Sequence, residues 1–161
     1  MEQLIDTILK AVQAAGIPAA RAFWPGRMPR LKGPVAALSL RKSVQTPAGF
    51  GGYLGLLTDE QEQTRTLYGM RLEAELAFTI YTPRTATSEA GAQLAEQLVQ
   101  VLLEGIEGVS LRQFTVQDTV YAAEPDCFTT CLEATVIAHL YAVTTGEEPV
   151  FTDFILKGEI V

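Results

Sequence analysis

The chain has 161 residues, of which 48% are hydrophobic and 19% charged, and its formal net charge is −7 at neutral pH. This length predicts a single domain over residues 1–161, and the composition excludes a disordered tail, a collagen-like repeat and a coiled coil. No apolar run approaches the roughly 18 residues that span a bilayer, and the first residues lack the charged and apolar regions of a secretory signal. We therefore expect a soluble chain, made in the cytoplasm, with no membrane partner.

Charge is distributed unevenly along the chain. Residues 1–50 carry seven Lys or Arg and two acids, whereas residues 51–161 carry five Lys or Arg and seventeen acids. Six basic residues and no acid lie between Arg21 and Lys42, with both ends counted. The acidic total argues against generic coating of DNA, which needs a basic footprint, but it is compatible with a local basic patch.

An amphipathic helix and a basic loop are predicted at the start of the chain. Apolar residues at three- and four-residue intervals predict a helix over residues 2–15. A short apolar run over 19–24 predicts a strand, and the prolines and glycines of 25–34 predict an irregular loop. This loop carries three basic residues, Arg27, Arg30 and Lys32.

The middle of the chain contains the clearest strand. Alternation predicts a first strand over 35–44, followed by a loop at 47–53, where three glycines and two aromatic residues offer an unusual backbone and adhesive side chains. The polar residues 58–66 predict a hairpin tip. Residues 70–81 then alternate strictly between apolar and polar side chains, which predicts a strand with one buried and one solvated face.

The second half of the chain again shows the apolar spacing of a helix and the alternation of strands. Apolar spacing predicts a helix over 88–103, and alternation predicts strands over 111–121 and 128–142 with a turn at 124–126. Hairpin-scale turns between long strands predict an α+β domain, with a mainly antiparallel sheet covered on one face by two amphipathic helices. Residues 149–161 are predicted as a C-terminal β arm, which either closes its own sheet or adds to a neighbouring subunit. Its apolar residues are Phe151, Phe154, Ile155 and Leu156.

Few side chains offer catalytic or metal chemistry. His139 has no acid or nucleophile fixed beside it, and Cys127 and Cys131 lie roughly 13 Å apart along a strand, which is beyond the reach of a disulfide. Glu73 and Glu75 on a solvated strand face are better interpreted as solvating the sheet or meeting a partner than as an acid/base pair. The glycines lack the pattern of a phosphate-binding loop. We predict no catalytic residue, no cofactor and no metal site.

The basic residues leave three interpretations open. They form a solvated loop, they line a subunit interface or a pore, or they bind nucleic acid, although few aromatic residues lie among them to stack on bases. These residues are Arg27, Arg30, Lys32, Arg41 and Lys42.

Four segments stand out in the order helix, strands, helix and paired long strands. They are Lys42-Ser43-Val44, the stretch PAGFGGYLG at 47–55, Leu67-Tyr68-Gly69 before the alternating strand, and FTDFILKG at 151–158. Over nearly the whole chain this pattern resembles the tail terminator proteins of tailed phages and phage-derived contractile particles (tailocins). That family has no catalytic signature.

The resemblance implies an α+β subunit that forms a ring, generally a hexamer, at the head-proximal end of a tail tube. Such a ring stops tube polymerisation, anchors the last sheath layer in contractile systems, and presents a docking surface to a head. The implied partners are further copies of the chain, the tube protein, the sheath protein and the head-tail connector. The implied location is a virion or tailocin particle assembled in the bacterial host cytoplasm.

A ring needs contacts between unlike patches of neighbouring subunits. The basic start and acidic remainder of the chain supply such a pair, with the basic residues above, the loop and the β arm as candidate contacts. The loop candidates are Phe50, Gly51, Gly52 and Tyr53. The alternatives are another head-tail joining or tail completion protein, a nucleic-acid-binding module, and a small hydrolase that uses surface carboxylates.

Overall fold

The computed structural model describes residues 1–24, 26–58, 60–144 and, for the backbone, 154–157. In chain order the elements are α1 (Glu2–Ala14), β1 (Ala19–Arg21), β2 (Val35–Pro47), β3 (Tyr53–Thr58), β4 (Thr64–Pro83), α2 (Ser88–Glu104), β5 (Val109–Val116), β6 (Val120–Ala122), β7 (Cys127–Thr144) and β8 (Phe154–Lys157). The predicted helices and the long strands are present, so the α+β class is confirmed.

Two long antiparallel strands form the centre of the sheet. β4 has 20 residues and β7 has 18, and they pair without a register shift from Thr66 opposite Thr144 to Pro83 opposite Cys127. The outer side of β4 is paired by β2 and then, in line with it, by β3. The outer side of β7 is paired in succession by β6, β5 and β8. Short segments therefore complete the hydrogen bonding of two long strands.

The sheet is mixed, so the prediction of a mainly antiparallel sheet needs correction at one edge. β1 runs parallel to β2, with Ala19 opposite Ala36, whereas the other strand pairings in the described residues are antiparallel. Parallel neighbours need a connection that returns the chain to the end where the first strand began. The irregular loop of residues 22–34 provides this return, and a strand of three residues is too short to reveal its direction by periodicity.

Both helices cover the same face of the sheet, as predicted. Between Leu72 and Ile80, the even-numbered residues of β4 are at most 1% exposed and share one core with α1 and α2. Burying a large apolar side chain contributes about 1.5–3 kcal/mol, so this shared layer holds the helices on the sheet. We call the other side of the sheet the open face, because neither described helix covers it. Neither of these helices has the length and apolarity that crossing a bilayer requires.

Register shifts interrupt two of the shorter strands at the same level of the sheet. In β2 the shift falls between Leu40 and Lys42, and in β5 it falls between Leu111 and Gln113. The extra residues are Arg41 and Arg112, which flank the row where Glu75 of β4 faces Thr135 of β7. Each bulge changes which later residues face the helices. The alternation therefore changes phase at Arg112 in β5. Residues 117–119 separate β5 from β6, so residues 111–121 contain parts of two strands and not the one predicted.

Candidate functional site

The basic loop of residues 22–34 lies across the end of the sheet where β4 finishes and β7 begins. Its residues 28–31 line a cavity of about 370 Å³ together with Pro83–Thr85 and Pro125–Cys127. Arg27, Arg30 and Lys32 are exposed, and no carboxylate of the described residues lies within ion-pair distance of them. The loop therefore presents positive charge that the described part of this chain leaves uncompensated.

An aromatic concavity adjoins this loop. It has a volume of about 540 Å³ and is lined mainly by Phe23, Trp24, Met28, Tyr81 and Pro125. The rings of Phe23 and Tyr81 lie 5.9 Å apart, and Trp24 is 77% exposed. Burial raises the pKa of the Tyr81 hydroxyl above its ordinary value, so it is a neutral hydrogen-bonding group at physiological pH. An apolar wall with an exposed tryptophan is typical of a surface that another molecule covers.

Sequence reasoning missed Trp24, because it assigned this residue to the end of a short strand. The strand ends at Arg21, and Trp24 belongs to the loop. The available signal was a tryptophan directly before Pro25-Gly26 within a basic segment, since turn residues favour exposure of the side chains beside them.

The glycine-rich loop lies at the other end of the sheet and is a short excursion from an almost continuous strand. The N–H of Ala48 donates to the carbonyl of Gly69 at 2.9 Å, and the N–H of Gly69 donates to the carbonyl of Gly52 at 2.7 Å. The chain leaves the β4 ladder at one side of Gly69 and rejoins it at the other. Phe50 projects from this excursion with 99% of its surface exposed.

Several glycines around this excursion occupy positions where a side chain is disfavoured. Gly51 and Gly52 have φ values of 60° and 84°, which side-chain-bearing residues rarely adopt. A Cβ atom on Gly49 would overlap the backbone carbonyl oxygen of Tyr53, and one on Gly69 would displace the end of the Leu54 side chain. The loop is thus held in one shape, with Tyr53 packed edge-on against Tyr68 at 6.3 Å between ring centres. The predicted loop at 47–53 is confirmed for residues 48–52, because β2 ends at Pro47 and β3 begins at Tyr53.

The five predicted basic residues do not form one patch. Arg41 and Lys42 lie on the open face, near the middle of the sheet, where the Nζ atom of Lys42 lies 4.0 Å from the Oε1 atom of Glu75. The loop arginines lie beyond Val35, which pairs with Tyr81. Six positions along β4 separate these levels, or about 20 Å at ~3.3 Å per residue. The bulge and the loop therefore form separate basic sites.

Charged side chains also organise the open face. The Oε2 atom of Glu73 lies 3.4 Å from the Nη1 atom of Arg112 and 3.6 Å from the Nη2 atom of Arg71. A cavity of about 460 Å³ beside them is lined by Arg41, Glu75, Gln113, Thr115, Glu133 and Thr135 among others. The ion pairs of Glu73 are half-exposed or exposed, and such pairs contribute little to the free energy of unfolding.

Among the described residues, the remaining candidate groups are a pair of thiols and a single histidine on β7. Burial raises the pKa of the Cys127 and Cys131 thiols, which keeps them protonated and weakly nucleophilic at neutral pH. His139 lies opposite Arg71 in the pairing of β7 with β4, and its ring stacks on the ring of Tyr141 with 6.4 Å between the ring centres. Within the described residues, no group of three or more His, Cys, Asp or Glu side chains is placed to hold a metal ion.

The C-terminal candidates are described only in part. Residues Phe154–Lys157 form β8, which pairs with His139–Ala142 of the same chain, so this piece of the β arm closes its own sheet. Phe154, Ile155 and Leu156 lie in this strand. Phe151 and the rest of the predicted arm over 149–161 lie outside the described residues.

No family model matches the chain, and no curated protein matches it either. Two surfaces of the described chain are exposed for contact with another molecule, the Phe50 loop and the aromatic concavity. The Phe50 loop is paired at Gly69, whereas the concavity contains Tyr81, twelve positions later in β4. At ~3.3 Å per residue, these surfaces are about 40 Å apart.

Proposed function

We propose that this protein is a structural subunit that assembles head to tail into a closed ring, by contacts between unlike surfaces. One observation carries the proposal. An exposed aromatic concavity beside a basic loop lies at one end of the sheet, and the fully exposed Phe50 lies at the other. Head-to-tail assembly requires two different patches on each subunit, and it gives a ring when the rotation between copies closes.

The more specific proposal is a tail terminator. The element order and segments of the sequence that resemble this family support it, as does the α+β sheet with helices on one face. In this role a ring, hexameric in the family, caps the head-proximal end of a tail tube and stops its polymerisation. It contacts the tube protein, the last sheath layer in a contractile particle, and the head-tail connector where a head is attached.

The role requires no reaction, so we propose a non-enzymatic protein located in a virion or tailocin particle. Surface loops and sheet edges carry its function. Loops are suited to this because they tolerate exposure and present side chains on a rigid scaffold.

The experiment is a combined assembly and deletion test. We expect the purified chain, alone or with its cognate tube protein, to form rings of one size by negative-stain imaging, and to co-purify with tubes. Particles from a deletion strain should have abnormally long or uncapped tubes, and the intact gene should restore their length. A chain that stays monomeric beside its tube protein, or a deletion that leaves tube length unchanged, would refute the proposal.

A further inference from the structure

We infer that Phe50 of one copy seats in the aromatic concavity of the next copy, so that these two surfaces are the two halves of one interface. The inference deepens the proposed function, because it names the residues that join neighbouring subunits. It can fail while the ring itself survives.

Phe50 is an exposed aromatic side chain on a loop with a fixed backbone. The backbone on both sides of it is fixed by the two hydrogen bonds of Gly69, and the N–H of Tyr53 donates to the carbonyl of Phe50 at 3.1 Å. Its side chain is nevertheless 99% exposed, so no part of the described chain covers it. An apolar ring on a preorganised loop loses little conformational freedom on binding, which makes it an efficient contact.

The concavity has the size and chemistry to receive this ring. Its volume of about 540 Å³ lies in the range of sites that enclose small ligands, roughly 300–1,000 Å³. Trp24, Phe23 and Tyr81 offer ring faces and edges for an incoming aromatic side chain. Met28 adds an adaptable thioether, which makes favourable contacts with aromatic rings.

The charges at the two ends are complementary. Arg27, Arg30 and Lys32 lie in the loop that lines the concavity, whereas the exposed Glu60 and Glu62 lie before β4, beyond the Phe50 loop at the other end of the sheet. Two acids near the concavity reduce the positive field of the loop only in part. Glu124 lines the concavity, and Asp126 is already bound by Arg84 and Tyr121. Opposite fields orient approaching copies head to tail and disfavour the like-end encounter.

Contact between Phe50 and the concavity of the same molecule is excluded by distance. They lie about 40 Å apart along β4 at ~3.3 Å per residue, so Phe50 cannot reach the concavity of its own chain. A second copy is the occupant that satisfies both surfaces at once, and every copy then offers one free loop and one free concavity.

The test is a complementation of two defective variants, measured by light scattering after size exclusion. Phe50→Ala and Trp24→Ala should each weaken self-association roughly 30-fold or more, as hot-spot residues do, while each stays folded because both side chains are exposed. When mixed, the intact loop of the tryptophan variant should pair with the intact concavity of the phenylalanine variant. The mixture should give heterodimers that do not grow further. The matched control is Leu103→Ala, which removes an exposed side chain of α2 outside both surfaces and should leave assembly unchanged.

A direct contact measurement completes the test. A photoreactive benzoylphenylalanine in place of Phe50 should cross-link to the peptide of the neighbouring copy that contains Trp24 and Met28. Rings that form normally with Phe50→Ala, a mixture without heterodimers, or cross-links to the tube protein alone would overturn this inference and leave the proposed ring intact. A wild-type chain that never self-associates, with or without its tube protein, would overturn both.

Discussion

Gly91 of α2 lies directly over Thr82 of β4, so closely that a Cβ atom on the glycine would overlap the Oγ1 atom of the threonine. Thr82 is 1% exposed, and the hydroxyl of Thr130 from β7 lies next to the same point. The helix therefore approaches the sheet closely at a position where it has no side chain. This contact fixes the height of α2 above the two central strands.

The first prediction is that Gly91→Ala destabilises the fold. Alanine normally stabilises a helix interior by about 0.5–1 kcal/mol relative to glycine, but forcing a methyl group into a packed layer costs about 1–3 kcal/mol. We expect a net loss of about 1–2 kcal/mol in urea unfolding. Gly33→Ala is the matched control, because a Cβ there meets no atom within 4 Å. Adding Thr82→Ala should recover part of the loss, and a stabilising effect of Gly91→Ala alone would contradict the packing described.

The second prediction concerns the basic loop. Reversing one charge with Arg30→Glu should weaken self-association by roughly three- to tenfold, through slower encounter of oppositely charged surfaces. The effect should shrink at high salt, because exposed charges are screened over about 8 Å at physiological ionic strength. Lys10→Glu makes the same change in net charge on the exposed side of α1 and should have no effect. Equal effects of the two variants would show that total charge, and not this loop, is responsible.

The third prediction is that Glu73→Gln leaves stability nearly unchanged. Glu73 lies near both Arg71 and Arg112, but all three side chains are between 37% and 57% exposed. Exposed pairs typically contribute 0–1 kcal/mol, so we expect a loss below about 1 kcal/mol in urea unfolding. Glu96→Gln on α2 serves as the control for loss of one carboxylate. A loss of about 3 kcal/mol or more would mean that this network is covered by something, such as a neighbouring copy.

The fourth prediction is a loss of stability at alkaline pH. Burial raises the pKa of the Cys127 and Cys131 thiols above 9.0, with further contributions from Asp126 and Glu133 respectively. The folded chain thus holds these protons more tightly than the unfolded chain. The stabilisation is complete below about pH 9 and is lost as pH rises through the folded-state pKa.

We therefore expect the urea midpoint to be level near neutral pH and to fall above about pH 9. Tyr81 adds to the fall at higher pH, because burial also raises its pKa from 10.0. A variant with Cys127→Ala and Cys131→Ala should show a shallower fall, even if its midpoint is lower throughout. An identical slope in this variant would assign the effect to other groups.

Local patterns were sufficient for the elements that pack against the core. The strict alternation over 70–81 predicted β4 because the helices cover one face of it, and the spacing over 2–15 and 88–103 predicted α1 and α2 for the same reason. The strand is longer than predicted, over Thr64–Pro83. In the part of β4 that the helices do not cover, apolar and polar residues no longer alternate between the two faces of the sheet.

Local patterns could not predict how segments distant in the sequence are arranged relative to one another. The direction of β1 depends on where the loop of residues 22–34 returns the chain, and no residue in β1 encodes it. The separation of Arg41 and Lys42 from the loop arginines depends on the register between β2 and β4. Proximity in the sequence placed these residues in one group, because it does not include this register, which long-range pairing determines.

The bulges at Arg41 and Arg112 make the two flanking strands tolerant of a change that the central strands would not survive. Each arginine is the surplus residue of its strand, so a chain lacking either one would regain regular pairing with the same side chains toward the helices. A deletion within β4, which pairs with β7 without a register shift, would turn every subsequent core residue toward water. The protein thus has two positions where its length can change by one residue with the loss of one surface arginine and, at Arg112, of its ion pair with Glu73.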